Sequence, residues 1–188
     1  QRDLIVSGSA PLSDGLRVGG ALGVYRRDGY GTNLWNGADI GNRESFSARL
    51  TVEFEPAPDW FFRLTADRLD DDSNANPGHR ELPVPAAFGA PPITTPFGIN
   101  VPAGAFPVTD DVYDSWAGVD ETNEVINQGV SLTGEWTISD HLTFKTVTAW
   151  RDGETHGEGI DFDGTPAPIL DVLAPETVYD DDQFSQEF

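Results

Sequence analysis

Residues 46–54, FSARLTVEF, alternate strictly between apolar and polar side chains, and this alternation constrains the fold more than any other feature of the chain. The apolar members are Phe46, Ala48, Leu50, Val52 and Phe54, and the polar members are Ser47, Arg49, Thr51 and Glu53. A period of two residues predicts a β-strand with one apolar face and one wet face. The apolar face contacts either a protein core, as in a soluble sandwich, or membrane hydrocarbon, in which case the polar face lines a water-filled lumen.

The hairpin that contains this strand occurs again later in the chain. Residues 130–151 share with residues 50–68 an L-T-x-E followed by an aromatic residue, then a turn bearing an Asp, then a returning arm with T-A-x-R. A weaker copy opens the chain, where residues 4–10 and 16–27 flank PLSDG, a cluster typical of a turn. Basic residues of these arms lie on the polar phase of their strands, namely Arg17, Arg49, Arg63, Lys145 and Arg151.

The connections between the strands alternate in length. Short turns are predicted at about 11–15, 55–59 and 138–140, and long links at about 28–43, 70–125 and 152–182. In a meander, alternate connections lie at the same end, and outer-membrane barrels have short turns at one end and long loops at the other. A soluble all-β domain with long insertions is the alternative. We expect an all-β fold, an antiparallel up-and-down meander of about seven strands.

Composition excludes several classes of function. The chain has 32 acidic and 11 basic residues, a formal net charge of −21, which disfavours binding to nucleic acid or to an anionic membrane surface. It has no cysteine, and therefore no disulfide, thiolate zinc site or cysteine nucleophile. No apolar run approaches the ~18 residues of a membrane helix, so a membrane role would have to use strands. The start at Gln1 and the absence of methionine indicate a piece of a longer protein.

Three stretches carry a resemblance to a known family. They are residues 8–60, residues 127–152 (NQGVSLTGEWTISDHLTFKTVTAWRD) and the terminal DDDQFSQEF at 180–188. In their order they resemble the barrel portion of TonB-dependent outer-membrane receptors, in particular the large alpha-proteobacterial set. The resemblance covers a little over half the chain, whereas the link at 70–125 matches nothing in the family.

The resemblance implies active import across the bacterial outer membrane. Members bind a scarce solute, often a ferric siderophore and sometimes a cobalamin or a sugar, on the extracellular side of a plugged barrel, and a TonB complex energises its release. It implies outer-membrane lipid and the TonB complex as partners, with no enzyme activity and no cofactor. Residues 1–188 are then expected to be part of the barrel, a segment of a transmembrane β-barrel that is 22-stranded in such transporters, with the plug and the C-terminal barrel half outside this chain.

Two groups of link residues are candidate sites. Tyr113 and Trp116, beside three Asp residues at 110, 111 and 114, offer ring faces and carboxylates for a solute such as a sugar, although exposed aromatic residues also pin loops. Oxygen and nitrogen ligands for a metal ion are clustered in DGETHGEGIDFDG, where the weak candidates are Glu154, His156, Asp161 and Asp163. This cluster lacks the spacing of an EF-hand, and a solvated loop is the alternative.

Three classes of function therefore remain open: a transporter barrel segment, a soluble carbohydrate-binding β domain and, with least support, a hydrolase. Motifs of common hydrolases and nucleotide-binding enzymes, G-x-S-x-G, H-E-x-x-H and the P-loop, are absent from the sequence. Trp60, Trp136 and His141 lie beside the predicted tight turns, where an aromatic girdle would mark a membrane interface.

Three further expectations can be compared with a structure. Six apolar residues should share one uncovered face: Phe46, Leu50, Val52, Phe54, Phe62 and Leu64. Arg49, Glu53, Arg63 and Asp67 should lie on the opposite face, close enough to pair. The proline-rich stretch at 77–107 cannot be a central strand, because proline lacks the ladder donor. The links at 70–125 and 152–182 should lie at one end and contribute to capture of a solute.

Overall fold

The computed structural model describes residues 1–74, 78–81, 93–94, 100–101, 106–119, 123–157, 160–162, 164–166, 171–172 and 177–188. These residues form strands and connections only. In chain order the strands are β1 (Arg2–Ser13), β2 (Leu16–Arg27), β3 (Gly31–Thr32), β4 (Asp39–Ile40), β5 (Arg43–Ala57), β6 (Trp60–Asp72), β7 (Ile93–Thr94), β8 (Asn100–Val101), β9 (Asn123–Ser139), β10 (Leu142–Gly157), β11 (Ile160–Asp161), β12 (Asp171–Val172) and β13 (Thr177–Glu187).

The seven long strands form one sheet in the order β1-β2-β5-β6-β9-β10-β13, and every neighbouring pair is antiparallel. The up-and-down meander predicted from the sequence is therefore confirmed. Among the described residues β1 and β13 each pair on one side only, so the sheet is open. The short strands pair as β3–β4, β7–β8 and β11–β12, one pair inside each long link. The described part of the chain contains no helix long and apolar enough to cross a membrane.

All three tight turns lie at one end of the sheet and all three long links at the other. The turns occupy residues 14–15, 58–59 and 140–141, and the links occupy residues 28–42, 73–122 and 158–176. The second and third links are shorter than the predicted 70–125 and 152–182. The strands continue because acidic residues such as Asp71 and Asp181 still pair through their backbones, although the apolar alternation has already stopped.

Register divides the seven strands into an apolar face and a polar face. Leu50 lies between Gly20 and Ala66, and Val52 lies between Val18 and Leu64. Large side chains of the apolar face are Leu4, Val6, Leu22, Val24, Phe46, Leu50, Val52, Phe54, Trp60, Phe62, Leu64, Val130, Leu132, Trp136, Phe144, Trp150 and Phe184. The six residues expected to share a face therefore do so.

No second layer of the described residues covers this apolar face. Phe46, Leu50, Phe54 and Leu64 are exposed, with 49% of Leu50 accessible to solvent, while Val52 and Phe62 are half-buried. Large apolar side chains cost free energy when they face water, at roughly 25 cal/mol per Å² of apolar area. The buried hydrophobic residues of the described chain are Ile40, Ala117 and Val119, and all three lie in the long links.

The polar face carries a ladder of ion pairs. Arg63 binds Glu53 at 2.8 Å from the adjacent strand, and Arg17 lies 3.4 Å from the same carboxylate. Lys145 binds Glu135 at 2.7 Å and Arg151 binds Asp67 at 2.7 Å. The predicted placement of Arg49, Glu53, Arg63 and Asp67 on this face is confirmed, but Asp67 binds Arg151, from two strands away, instead of Arg49 opposite it.

Candidate functional site

The apolar face has a border at each end, and both borders run obliquely across the strands. At the turn end, Leu16 directly follows the first turn and pairs with Phe54, yet β5 continues to Ala57 before its own turn. Trp60 directly follows that second turn and pairs with Trp136, yet β9 continues to Ser139. Each hairpin therefore extends three residues beyond the previous one.

This stagger defines an angle. Three residues rise about 10 Å along a strand, while two steps between strands cover about 9.6 Å across the sheet. The line of the turns thus crosses the strands at about 45°, which is the tilt of strands that cross a membrane. A flat two-layer sandwich imposes no such constant offset on its turns.

At the link end the border moves in the same direction. Apolar residues continue to Val24 and Phe46 in β2 and β5, but Asp70, opposite Phe46, is already acidic. On the same face, the last apolar residue is Ala66 in β6 and Trp150 in β10. Both lie four residues nearer the turns than the row of register partners through Phe46 and Asp70. Ile126 of β9 belongs to that row and is the exception to its acidic members. The result is a slanted apolar band. Its length in β5, from Phe46 to Phe54, is nine residues, and a membrane-crossing strand needs about 9–11.

Aromatic side chains mark the turn end of this band. The Trp60 and Trp136 rings stack with centroids 5.0 Å apart and planes 7° apart, and Trp60 also stacks on Phe62 at 5.8 Å. Phe144 contacts Phe188 at 6.2 Å. His141 lies in the adjacent turn, where its backbone N–H donates to the Ser139 hydroxyl. The predicted aromatic residues thus lie together at the turns, as in an interfacial girdle.

The first and second long links pack together at the other end. Asn33 and Ser115 form a bridge in which the Leu34 N–H donates to the Ser115 carbonyl at 2.8 Å. The Asn33 amide donates to the Ala117 carbonyl at 2.9 Å, and the Thr32 N–H donates to the Asp114 carboxylate at 2.9 Å. Because Asn33, Ser115 and Ala117 are buried, these bonds are shielded from water and hold the links in one arrangement.

The third link joins the same assembly. The Asp161 carboxylate accepts the Gly118 N–H at 2.8 Å and the Gly164 N–H at 2.6 Å, and Thr165 is fully buried. Arg80 donates to the carbonyls of Phe106 and Gly164. We call residues 30–40, 106–119, 160–162 and 164–166 the link cluster. It contains all three buried hydrophobic residues of the described chain.

The two predicted solute-contacting residues lie on this cluster. Tyr113 is exposed, and its ring forms a T-shaped contact with the Tyr30 ring, with the two centroids 5.1 Å apart. Trp116 is half-buried, donates its indole N–H to the Pro107 carbonyl at 3.1 Å and packs against Phe106 at 5.9 Å. A crevice beside Trp116 has a volume of about 10 Å³, which is no larger than one water molecule needs. Tyr113 therefore has the accessible ring, whereas Trp116 contributes to packing.

The structure brings together part of the proposed metal ligands. His156 Nε2 lies 2.6 Å from Glu154 Oε1, but both oxygens of Asp161 accept backbone N–H groups. Asp163 lies outside the described residues. Within the described ranges no three His, Cys, Asp or Glu side chains are close enough together to hold a metal ion. Of the proline-rich stretch at 77–107, the structure describes 78–81, 93–94, 100–101 and 106–107.

Sequence reasoning missed an arrangement on the polar face. Arg43 lies over the Tyr25 ring at 4.4 Å, near the link end of β2 and β5. A basic residue on the polar phase of its strand, with no carboxylate opposite it, would have indicated this arrangement. Recognising that no carboxylate lies opposite requires the register of three strands. Comparison of the chain with family models, with curated proteins and with solved structures finds no match.

Proposed function

We propose that this chain is part of the β-barrel of a bacterial outer-membrane receptor that imports a scarce solute, with a ferric siderophore as the first candidate and a TonB complex as the energy source. The slanted apolar band carries the proposal. Its side chains are large and uncovered, and an exposed apolar patch beyond a few hundred Å² signals contact with a partner or a membrane. Hydrocarbon would remove these side chains from water without a second protein layer.

The opposite face supports the same function. Its ion pairs, threonines and serines suit a water-filled lumen, because exposed pairs contribute only ~0–1 kcal/mol to stability and act mainly on polarity. Seven strands would supply about a third of the 22-stranded wall of an outer-membrane transporter. The link cluster then lies on the extracellular side, where the loops of a rigid barrel recognise ligands.

A soluble carbohydrate-binding domain has less support. It would use the same exposed Tyr113 ring, but it gives no reason for two borders of one apolar band to shift together across the sheet. A hydrolase has less support again, since the Asp161 carboxylate is engaged by backbone N–H groups and His156 by Glu154.

Fluorescence quenching in vesicles tests the membrane part of the proposal. Variants that retain one tryptophan, either Trp136 in the band or Trp35 in the link cluster, would be reconstituted into vesicles with brominated acyl chains. Trp136 should be quenched strongly and Trp35 hardly at all, because bromine quenches only a fluorophore that contacts the chains. Equal quenching of both variants, or quenching of neither, would contradict placement of the band in hydrocarbon.

Uptake in cells tests the transport part. The intact receptor should accumulate a labelled ferric siderophore only when the TonB complex is present and the inner membrane is energised. A protonophore should stop accumulation while leaving surface binding unchanged. Accumulation that continues without the TonB complex would exclude the proposed energy source.

A further inference from the structure

Three arginines of the polar face have no ion pair within the described residues: Arg27 and Arg43 at the link end, and Arg49 in the middle of β5. Six other basic residues of the same sheet each hold a carboxylate within 3.0 Å: Arg17, Arg26, Arg63, Arg68, Lys145 and Arg151. Asp67 lies directly opposite Arg49, yet its carboxylate binds Arg151. The guanidinium of Arg49 is therefore left available on a face where its neighbours are neutralised.

Arg27 and Arg43 are directly opposite each other across β2 and β5. Like charges in this position destabilise a sheet. Aromatic rings compensate in part: Arg27 lies over Tyr30 at 5.1 Å and Arg43 over Tyr25 at 4.4 Å. A ring face attracts a cation without cancelling its charge. The pairing thus fixes the position of Arg43 and leaves its charge uncompensated.

A groove of about 550 Å³ lies on the polar face between Tyr25 and Arg49, with Asn127 and the ion pair of Arg151 and Asp67 at its far wall. This volume is within the range of small-molecule sites, about 300–1,000 Å³. Gly23 forms part of the floor. A Cβ added to Gly23 would meet Ser47 Oγ at 2.7 Å and the Tyr25 hydroxyl at 3.0 Å, so the Tyr25 ring lies down along the groove. No described residue accepts a hydrogen bond from that hydroxyl.

The unpaired arginines contrast with the charge of the long links, which is strongly negative. Residues 28–42, 70–125 and 152–182 together hold 22 of the 32 acidic residues and one of the 11 basic residues, Arg80, a formal charge of −21. The remaining residues hold ten of each sign. Carboxylates are thus abundant at this end of the protein, and the groove retains its positive charge among them.

The geometry points to an oxyanion site in this groove, where Arg49 and the Tyr25 hydroxyl bind a carboxylate or phosphate group of a solute, while Arg43 lies over the Tyr25 ring outside the groove and positions it. Guanidinium groups bind such oxyanions with two parallel hydrogen bonds. The inference rests on the proposed function in one respect: it takes the polar face as the wall of the solute's path. It adds that the solute carries an anionic group.

Isothermal titration of the protein folded in detergent tests this site, with citrate and inorganic phosphate as probes and glucose as the neutral control. The test variants are Arg49→Gln and Tyr25→Phe. Arg63→Gln is the matched control, because it removes the same charge from the same face, but from a guanidinium already paired with Glu53. We expect each test variant to weaken binding of citrate or phosphate about tenfold or more, as for a charge-assisted hydrogen bond. Arg63→Gln should bind like the unmodified protein, and Arg49→Lys should retain part of the affinity.

Three results would overturn the site: no binding of either anion by the folded protein, unchanged binding by both test variants, or an equal loss in Arg63→Gln. Binding of one anion alone would support the site and identify its oxyanion. Circular dichroism with and without detergent separates this inference from the membrane proposal. A detergent-folded sheet that binds neither anion refutes the site alone, whereas a sheet that folds without detergent and binds an anion refutes the membrane placement alone.

Discussion

The indole rings of Trp60 and Trp136 are nearly parallel, 5.0 Å apart, and they join β6 to β9 at the turn end of the apolar band. The two residues face each other in the register, so their contact fixes how the second hairpin docks on the third. An aromatic pair of this kind adds ~0.5–1.5 kcal/mol beyond the area that it covers.

A double-mutant cycle should measure this contact. Trp60→Leu and Trp136→Leu should each destabilise the sheet in detergent, and the double variant should lose less than the sum by ~0.5–1.5 kcal/mol. Denaturant unfolding followed by circular dichroism gives the free energies. Strict additivity would mean that the stacked rings do not interact in solution.

Gly15 should tolerate substitution less well than Gly37. Both have φ of +76°, but a Cβ on Gly15 would lie 2.3 Å from the Glu55 carbonyl oxygen, while a Cβ on Gly37 would meet nothing within 4 Å. Gly37→Ala should therefore cost about 1 kcal/mol, the strain of the left-handed conformation alone, and Gly15→Ala clearly more. Unfolding free energies compare the two variants directly. Equal losses would show that the contact between the first turn and β5 relaxes easily.

Removal of residues 83–105 should weaken solute binding by the intact receptor without dismantling the sheet. A deletion that extended to residue 107 would also remove Phe106 and Pro107. The structure argues for retaining Phe106 and Pro107, since Phe106 packs between Trp35 and Trp116, and the Pro107 carbonyl accepts the indole N–H of Trp116. Binding of labelled solute to whole cells and the heat stability of the barrel are the two measurements. Unchanged binding would leave recognition to other parts of the receptor.

Much of the sheet could be predicted because short stretches of the sequence specify its strands and turns. The alternation from Phe46 to Phe54 specifies one strand and its two faces, and the turn residues specify where the chain reverses. The predicted strand ends at the links were wrong, and the reason is physical. Residues such as Asp152 and Asp182 pair across the sheet through their backbones, and this ladder bonding leaves no apolar period in the sequence.

The link cluster and the arginine groove could not be predicted, because they depend on contacts between distant residues. Thr32 and Asp114 are 82 positions apart in the chain when they form their hydrogen bond. Asp67 lies directly opposite Arg49 but binds Arg151, which comes from a third strand. Neither relationship has a local pattern, and both require the register of several strands.

Two leucines of one strand offer the most direct test of whether the apolar band faces hydrocarbon. Leu64 and Leu69 both lie in β6 and are 41% and 37% exposed, but Leu64 is on the apolar face and Leu69 on the polar face. In the protein folded into vesicles, Leu64→Arg should lower the free energy of unfolding by about 2–4 kcal/mol, as for an arginine facing lipid near the bilayer midplane. Leu69→Arg should change it by less than about 1 kcal/mol, because its side chain would remain in water. Equal effects of the two substitutions would contradict the membrane placement, since a protein surrounded by water on both faces has no reason to distinguish two equally exposed leucines.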